Sequence, residues 1–235
     1  MEMVFDLKRK VARKVAKFQE MKKQRGVTLL EIIIVLGIIG IIAAGVVILA
    51  NRAFTAQDLS DIQDNLTSVR TAMTETYKDA GVYPDGVTTV GLTKSNIAAN
   101  SSSNAPIVTL VRLGKIDPSE AFNGISGDAF FISSGITDGS SGTSDAKGFT
   151  ITVNGMDQED CRNLISQAGN TWDYVGTISG ASAGKLPSTQ AKTKLYGDKA
   201  AGILKTLTSE DITADEISKA CTANGATNGV VFGSK

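Results

Sequence analysis

The sequence predicts an α+β fold in which one long N-terminal helix leads into a head of short helices and strands. Three observations predict it. The 19 residues from Ile32 to Ala50 carry no charge and are dominated by Ile, Val, Leu and Ala. Beyond them Leu59, Ile62, Leu66, Val69, Met73 and Tyr77 recur every three or four residues, which is the spacing of a single helix face. Past about residue 128, segments such as Gly148–Asn154 and Trp172–Ile178 are short, rich in β-branched or aromatic residues and bounded by Gly, Ser and Asp, as strands are.

As a helix, Ile32–Ala50 covers roughly 28 Å, close to the hydrocarbon thickness of a bilayer. Length alone leaves three readings: a signal peptide, a membrane anchor, or a helix buried in an assembly. A cleaved secretory signal fits poorly, because the run exceeds the usual apolar region of about 7–15 residues. From Asn51 to Ala80 the helix continues with a different pattern. Asp58, Asp61, Asp64, Arg70, Glu75 and Lys78 fall between the apolar positions, so this half is amphipathic. Gly81 and Tyr83-Pro84 stop it. The two halves together make a helix of about 53 residues, roughly 80 Å long. Gly37, Gly40 and Gly45 permit close helix approach or local unwinding, or reflect composition alone.

In the head, 85–105 is a polar loop and Pro106–Leu113 a short helix ended by Gly114. Asp117-Pro118-Ser119-Glu120 reads as a capped helix start. Ala129–Ser133 and Gly148–Asn154 read as strands around a loop at 135–147. The acids of that loop, Asp138 and Asp145, lack calcium-loop spacing. Asp157–Ala168 is a capped helix closed by Gly169, and Trp172–Ile178 is a strand. A polar loop at 180–193 precedes Leu195–Leu207, which reads as helical despite Gly197 and Gly202. Thr213-Ala-Asp-Glu216 opens a short helix with a capping box, and Val230–Gly233 is the last strand.

Formal charge balances at 24 against 24, yet residues 1–26 hold nine Lys/Arg and three acids. Residues 27–235 are therefore net −6, which argues against nucleic-acid binding. Residues 1–24 form a basic amphipathic segment that sets membrane orientation. With nine bases before the apolar run and only Arg52 soon after it, the N-terminus is cytoplasmic and the head lies across the membrane. The chain has no histidine. That removes the commonest general base and most transition-metal sites; no enzyme, catalytic residue, cofactor or metal is expected. Cys161 and Cys221 then sit in an oxidising compartment, where one disulfide is the default and two separate buried thiols the alternative.

Glu31 breaks the apolar segment near its start. A carboxylate in a spanning helix costs about 2.5–3.5 kcal/mol, so it faces a partner or snorkels to water. No cation lies within the segment. A cut after Gly26 would create one, the α-amino group of Val27, a single helical turn away.

Gly26 followed by Val27-Thr28-Leu29-Leu30-Glu31, with a basic lead-in and a long apolar run, resembles the class III signal peptide of the type IV pilin family. The resemblance implies cleavage after Gly26 by a prepilin peptidase, N-methylation of Val27, and Glu31 as the acid needed for assembly. A 26-residue leader, Val as first mature residue and a mature length of 209 are similar to type IVb pilins of enteric bacteria. Further resemblances are the 36–53 stretch, Leu113-Gly114-Lys115-Ile116 and the paired cysteines.

The implied organisation is a leader (1–26), a membrane-spanning or fibre-core half-helix (27–50), an amphipathic half-helix (51–81) and an α+β head (82–235) with a disulfide-bounded C-terminal region. The helix is expected to pack on an antiparallel sheet with the C-terminal strand inside it. The implied function is the major subunit of a surface pilus for adhesion, aggregation and colonisation, moving from the inner membrane to the extracellular fibre. Implied partners are further copies of the chain, the prepilin peptidase, the inner-membrane assembly machinery, membrane lipid and a minor pilin. The alternatives are a minor pilin or secretion pseudopilin, and a single-pass anchored periplasmic binding domain.

Overall fold

The long helix, α1, runs Leu29–Tyr77 in the computed structural model, which describes residues 28–138, 146–186 and 192–235. The basic segment at 1–24 and the Gly26–Val27 junction lie outside the described residues. The chain divides into two compact units, Met1–Arg52 and Ala53–Lys235. In the first, α1 exposes its apolar side chains on every side. In the second, Leu59, Ile62, Leu66, Val69, Ala72 and Met73 are buried along one face, as the periodicity predicts. A 3-10 turn, Lys78–Ala80, ends the helix at Gly81, whose φ of 73° explains why glycine stands there.

The other elements are α2 (Pro106–Arg112), β1 (Phe131–Ile136), β2 (Gly148–Met156), α3 (Gln158–Ala168), β3 (Tyr174–Ser179), β4 (Thr193–Lys194), β5 (Ile203–Lys205), α4 (Ala214–Lys219) and β6 (Asn228–Ser234). The strands form one sheet in the order β4-β1-β2-β6-β3-β5. The C-terminal strand β6 is therefore central, paired antiparallel with β2 and β3. The sheet is mixed rather than wholly antiparallel, because β4 pairs with β1 in parallel over two residues.

Period-two alternation sorts the strand residues. Ile132, Phe149, Ile151, Val153, Val175, Val230 and Phe232 join the α1 residues in the main core. Tyr174, Val231 and Leu195 form a second, smaller cluster. Leu195 is where the expected helix over 195–207 fails. Gly197 and Gly202 sit at φ 103° and 81°, and each would cost a helix about 1 kcal/mol relative to Ala. Instead the Leu195 amide donates to the Ile136 carbonyl at 2.9 Å and its carbonyl accepts from Leu207 at 2.8 Å. The side chain fills a depression made by three glycines. A Cβ on Gly135, Gly148 or Gly233 would come within 2.7–2.9 Å of it.

The expected helix at Asp117–Glu120 is a single turn. Asp117 Oδ1 accepts from both the amide and the hydroxyl of Ser119, and Glu120 Oε2 accepts from the Asp117 amide. The turn closes on itself, and an isolated bridge between Phe122 and Ala129 redirects the chain. By contrast α3 is capped by the Asp157 side chain, and α4 by a full capping box of Thr213 and Glu216. The bond from Lys199 Nζ at 2.7 Å, with the Thr213 bonds, holds the Glu216 carboxyl down at about 2.

One polar side chain ties α1 to the end of the sheet. Arg70 donates to Ser234 Oγ (3.0 Å) and to the Thr171 carbonyl (2.8 Å), and lies 3.6 Å from Asp173. Its guanidinium stacks 4.7 Å over the ring of Trp172, which packs on Phe232.

Replacing Leu195 with Ala should lower unfolding free energy by about 2–5 kcal/mol, because the glycine walls cannot collapse to fill the void. Denaturant unfolding of the disulfide-intact chain measures this, and a change below about 1 kcal/mol would contradict the packing described.

Candidate assembly site

Helix α1 opens where the sequence places the lone acid of the apolar segment. Thr28 is the residue before the helix, and its hydroxyl accepts from the Glu31 amide at 3.3 Å. Its carbonyl accepts from Ile32 at 3.2 Å. Glu31 thus occupies the third helical position, in the first turn, where the helix dipole favours a negative charge. The capping role of Thr28 is an addition to the sequence reading. Its signal was the spacing Thr-x-x-Glu ahead of an apolar run.

Past Glu31 the helix surface is apolar all round. Leu29 is 79% exposed, Ile41 76% and Ile32 46%, and no large side chain between Leu29 and Leu49 is buried. The helix is long and apolar enough to cross a membrane. An added Cβ at Gly37, Gly40 or Gly45 would meet nothing within 4 Å. The fold of one chain does not require those glycines.

In the head, Cys161 on α3 and Cys221 after α4 are joined by a disulfide with Cα atoms 6.1 Å apart and 60 residues between them in sequence. Arg162 adds a bond from Nε to the Ala220 carbonyl at 2.9 Å, so helix and loop are tied twice. Cys221 itself has a φ of 56°, a left-handed conformation that side chains other than Gly, Asn and Asp rarely adopt. Beside the bridge, burial and then the charges of Asp157, Glu159 and Asp58 push the Asp160 carboxyl up to about 6. Folding therefore favours its neutral form. This group opposes folding when ionised above about pH 6 and ceases to do so as pH falls toward its ordinary value near 4.

The sequence profile of the toxin-coregulated pilus subunit family matches residues 109–233, which include both cysteines and nearly the whole sheet. That of the prokaryotic N-terminal methylation motif matches residues 21–47. Toxin coregulated pilin of Vibrio cholerae serotype O1 is 38% identical over 179 residues, 75% of this chain and 73% of its own length. The chain belongs to the toxin-coregulated pilus subunit family. A second Vibrio cholerae toxin coregulated pilin is 36% identical over 74% of this chain and 72% of its own length. The crystal structure of TcpA, a type IV pilin from the El Tor biotype, aligns with a TM-score of 0.55 at 25% identity, over 76% of this chain and 99% of that one.

These type IV pilin relatives are structural proteins, and the architecture here is theirs: a long helix on a mixed sheet with short helices. The methylation-motif match runs across Gly26, Val27 and Glu31. Of these, only Glu31 lies among the described residues. Among the described residues no group of three or more Cys, Asp or Glu side chains could hold a metal ion.

Replacing Cys161 and Cys221 with Ser should lower unfolding free energy by up to about 4 kcal/mol, the chain-entropy value for a loop of this length. Comparing unfolding with and without reductant checks it; identical curves for the native chain would show that no bond is broken.

Proposed function

We propose that this chain is the major subunit of a type IVb pilus, held in the inner membrane as a prepilin and then assembled into an extracellular fibre. The observation that carries the reading is the apolar half of α1, which has no buried side chain and bears one carboxylate in its first turn. Cleavage after Gly26 would free the α-amino group of Val27, which becomes the methylated N-terminus. In the fibre that amine and the Glu31 carboxylate of an adjacent copy neutralise each other, where either alone in an apolar core is costly.

Lipid and protein are about equally apolar, so moving the helix from membrane to fibre gains little hydrophobic free energy. Close packing and charge pairing must then set the register. Gly37, Gly40 and Gly45, unused by the fold of a single chain, suit close approach by neighbouring helices. A contact between two different surfaces that does not close on itself propagates as an open helix. In this reading the processing partner is a prepilin peptidase, and assembly involves inner-membrane machinery and a minor pilin. The head, with its loops at 85–105, 135–147 and 180–193, faces outward for aggregation, adhesion and colonisation. Residues 139–145 and 187–191 of those loops lie outside the described residues.

The Glu31→Ala chain should insert in the membrane and accumulate as subunit while yielding no sheared fibres; normal piliation of that variant would end the charge-register reading. Mass spectrometry of sheared surface material should find methylated Val27 as the first residue and this chain as the most abundant species. An N-terminus at Met1 would point instead to a membrane-anchored domain that does not polymerise.

A further inference from the structure

Three lysines far apart in sequence meet around one cavity at the end of the head. Lys78 comes from the 3-10 turn after α1, Lys147 from the residue before β2, and Lys235 from the residue after β6. The cavity holds about 390 Å³, and Thr74, Tyr83 and Gly81 also line it. No carboxylate does. Among the described residues none of the three ammonium groups has an acidic partner within 4.0 Å. Lys115, Lys192, Lys199, Lys205 and Lys219 elsewhere in the head all do.

Composition does not account for this. Residues 27–235 are net −6, so three unpaired cations on one cavity run against the charge of the region. Like charges gathered without a counterion repel each other, and the arrangement is relieved by an anion that touches all three. Lysine ammonium groups bind phosphoryl oxygens as mobile point charges. The Tyr83 ring is buried, and burial raises the pKa of its phenol, so the hydroxyl stays a neutral donor. The volume lies in the range of small-molecule pockets, about 300–1,000 Å³, and leaves room for more than a bare phosphate ion.

We propose that this cavity binds a phosphoryl dianion, carried as a phosphate ester on a group the size of a sugar. The site belongs to the head and stands whether or not the chain polymerises. On a fibre it would recur with every subunit and act multivalently.

Titration calorimetry on the full chain in detergent, disulfide intact and ionic strength fixed, tests it. The probes are inorganic phosphate, glucose 6-phosphate, glucose and a penta-glutamate peptide. Saturable binding of the phosphate probes but not of glucose is expected. Tighter binding of glucose 6-phosphate identifies an ester as the ligand, and tighter binding of inorganic phosphate identifies the free ion; both support a phosphoryl site. The K78Q/K147Q/K235Q variant should bind at least about tenfold more weakly. K94Q/K185Q/K194Q, with the same loss of charge at exposed lysines elsewhere, should bind as the native chain does. K147Q alone should bind a few-fold more weakly, which keeps the test decisive if the triple variant does not fold. No saturable binding, equal weakening in both triple variants, or preference for the glutamate peptide would overturn the proposal.

Discussion

An apolar helix that is exposed on every side is the constraint on which the rest of this protein depends. Each large aliphatic side chain left in water forgoes about 1.5–3 kcal/mol. The exposed Ile, Leu and Val residues between Leu29 and Leu49 therefore represent some tens of kcal/mol. A domain is stable by only about 5–15 kcal/mol. No rearrangement of the head could offset that exposure, so the first half of α1 belongs in lipid or against other protein. Its backbone amides and carbonyls bond within the helix, which makes either apolar environment tolerable. Only Glu31 resists full burial.

The second half of α1 meets the opposite demand. Here one face is apolar and the other charged, and the apolar face is covered by β2, β6 and their neighbours. Arg70 shows how the polar side is used at the boundary. It joins Thr171, Asp173 and Ser234 to the helix, with Trp172 beneath its guanidinium. Arg is suited to this position because a planar, permanently charged group can stack and donate along several directions at once. The helix is thus fixed to the sheet by apolar packing along its length and by a directional contact at the strand end.

What could be read from the sequence follows from the range of the interactions involved. The burial of Leu59, Ile62, Leu66, Val69 and Met73 was legible because helix periodicity is local, as were the stop at Gly81 and the caps at Asp157 and Thr213. The fate of Leu195 was not. Its place depends on Gly135, Gly148 and Gly233, which come from three strands, and no local signal joins them. The parallel pairing of β4 with β1 was hidden for the same reason, since two residues carry no strand pattern. At the candidate site, Gly26, Val27 and Glu31 stood out by spacing and by resemblance, whereas the hydroxyl of Thr28 that caps the helix was overlooked. Lys78, Lys147 and Lys235 are unremarkable in sequence and become a group only when the 3-10 turn and the ends of β2 and β6 converge.

The central position of β6 bears on the order in which the head can form. Every earlier strand precedes it in the chain, yet β2 and β3 have no partner on their inner edges until it arrives between them. A head emerging across a membrane would therefore wait with two open sheet edges, and such edges are prone to pairing with other chains. Contacts this distant in sequence also form slowly, because the loop must close before they contribute. The link between Cys161 and Cys221 acts on that interval. It draws the segment just ahead of β6 against α3 and so delivers the last strand to the gap it completes. The bridge is thus a device for timing as well as for stability, shortening the period in which two subunits side by side could exchange strands.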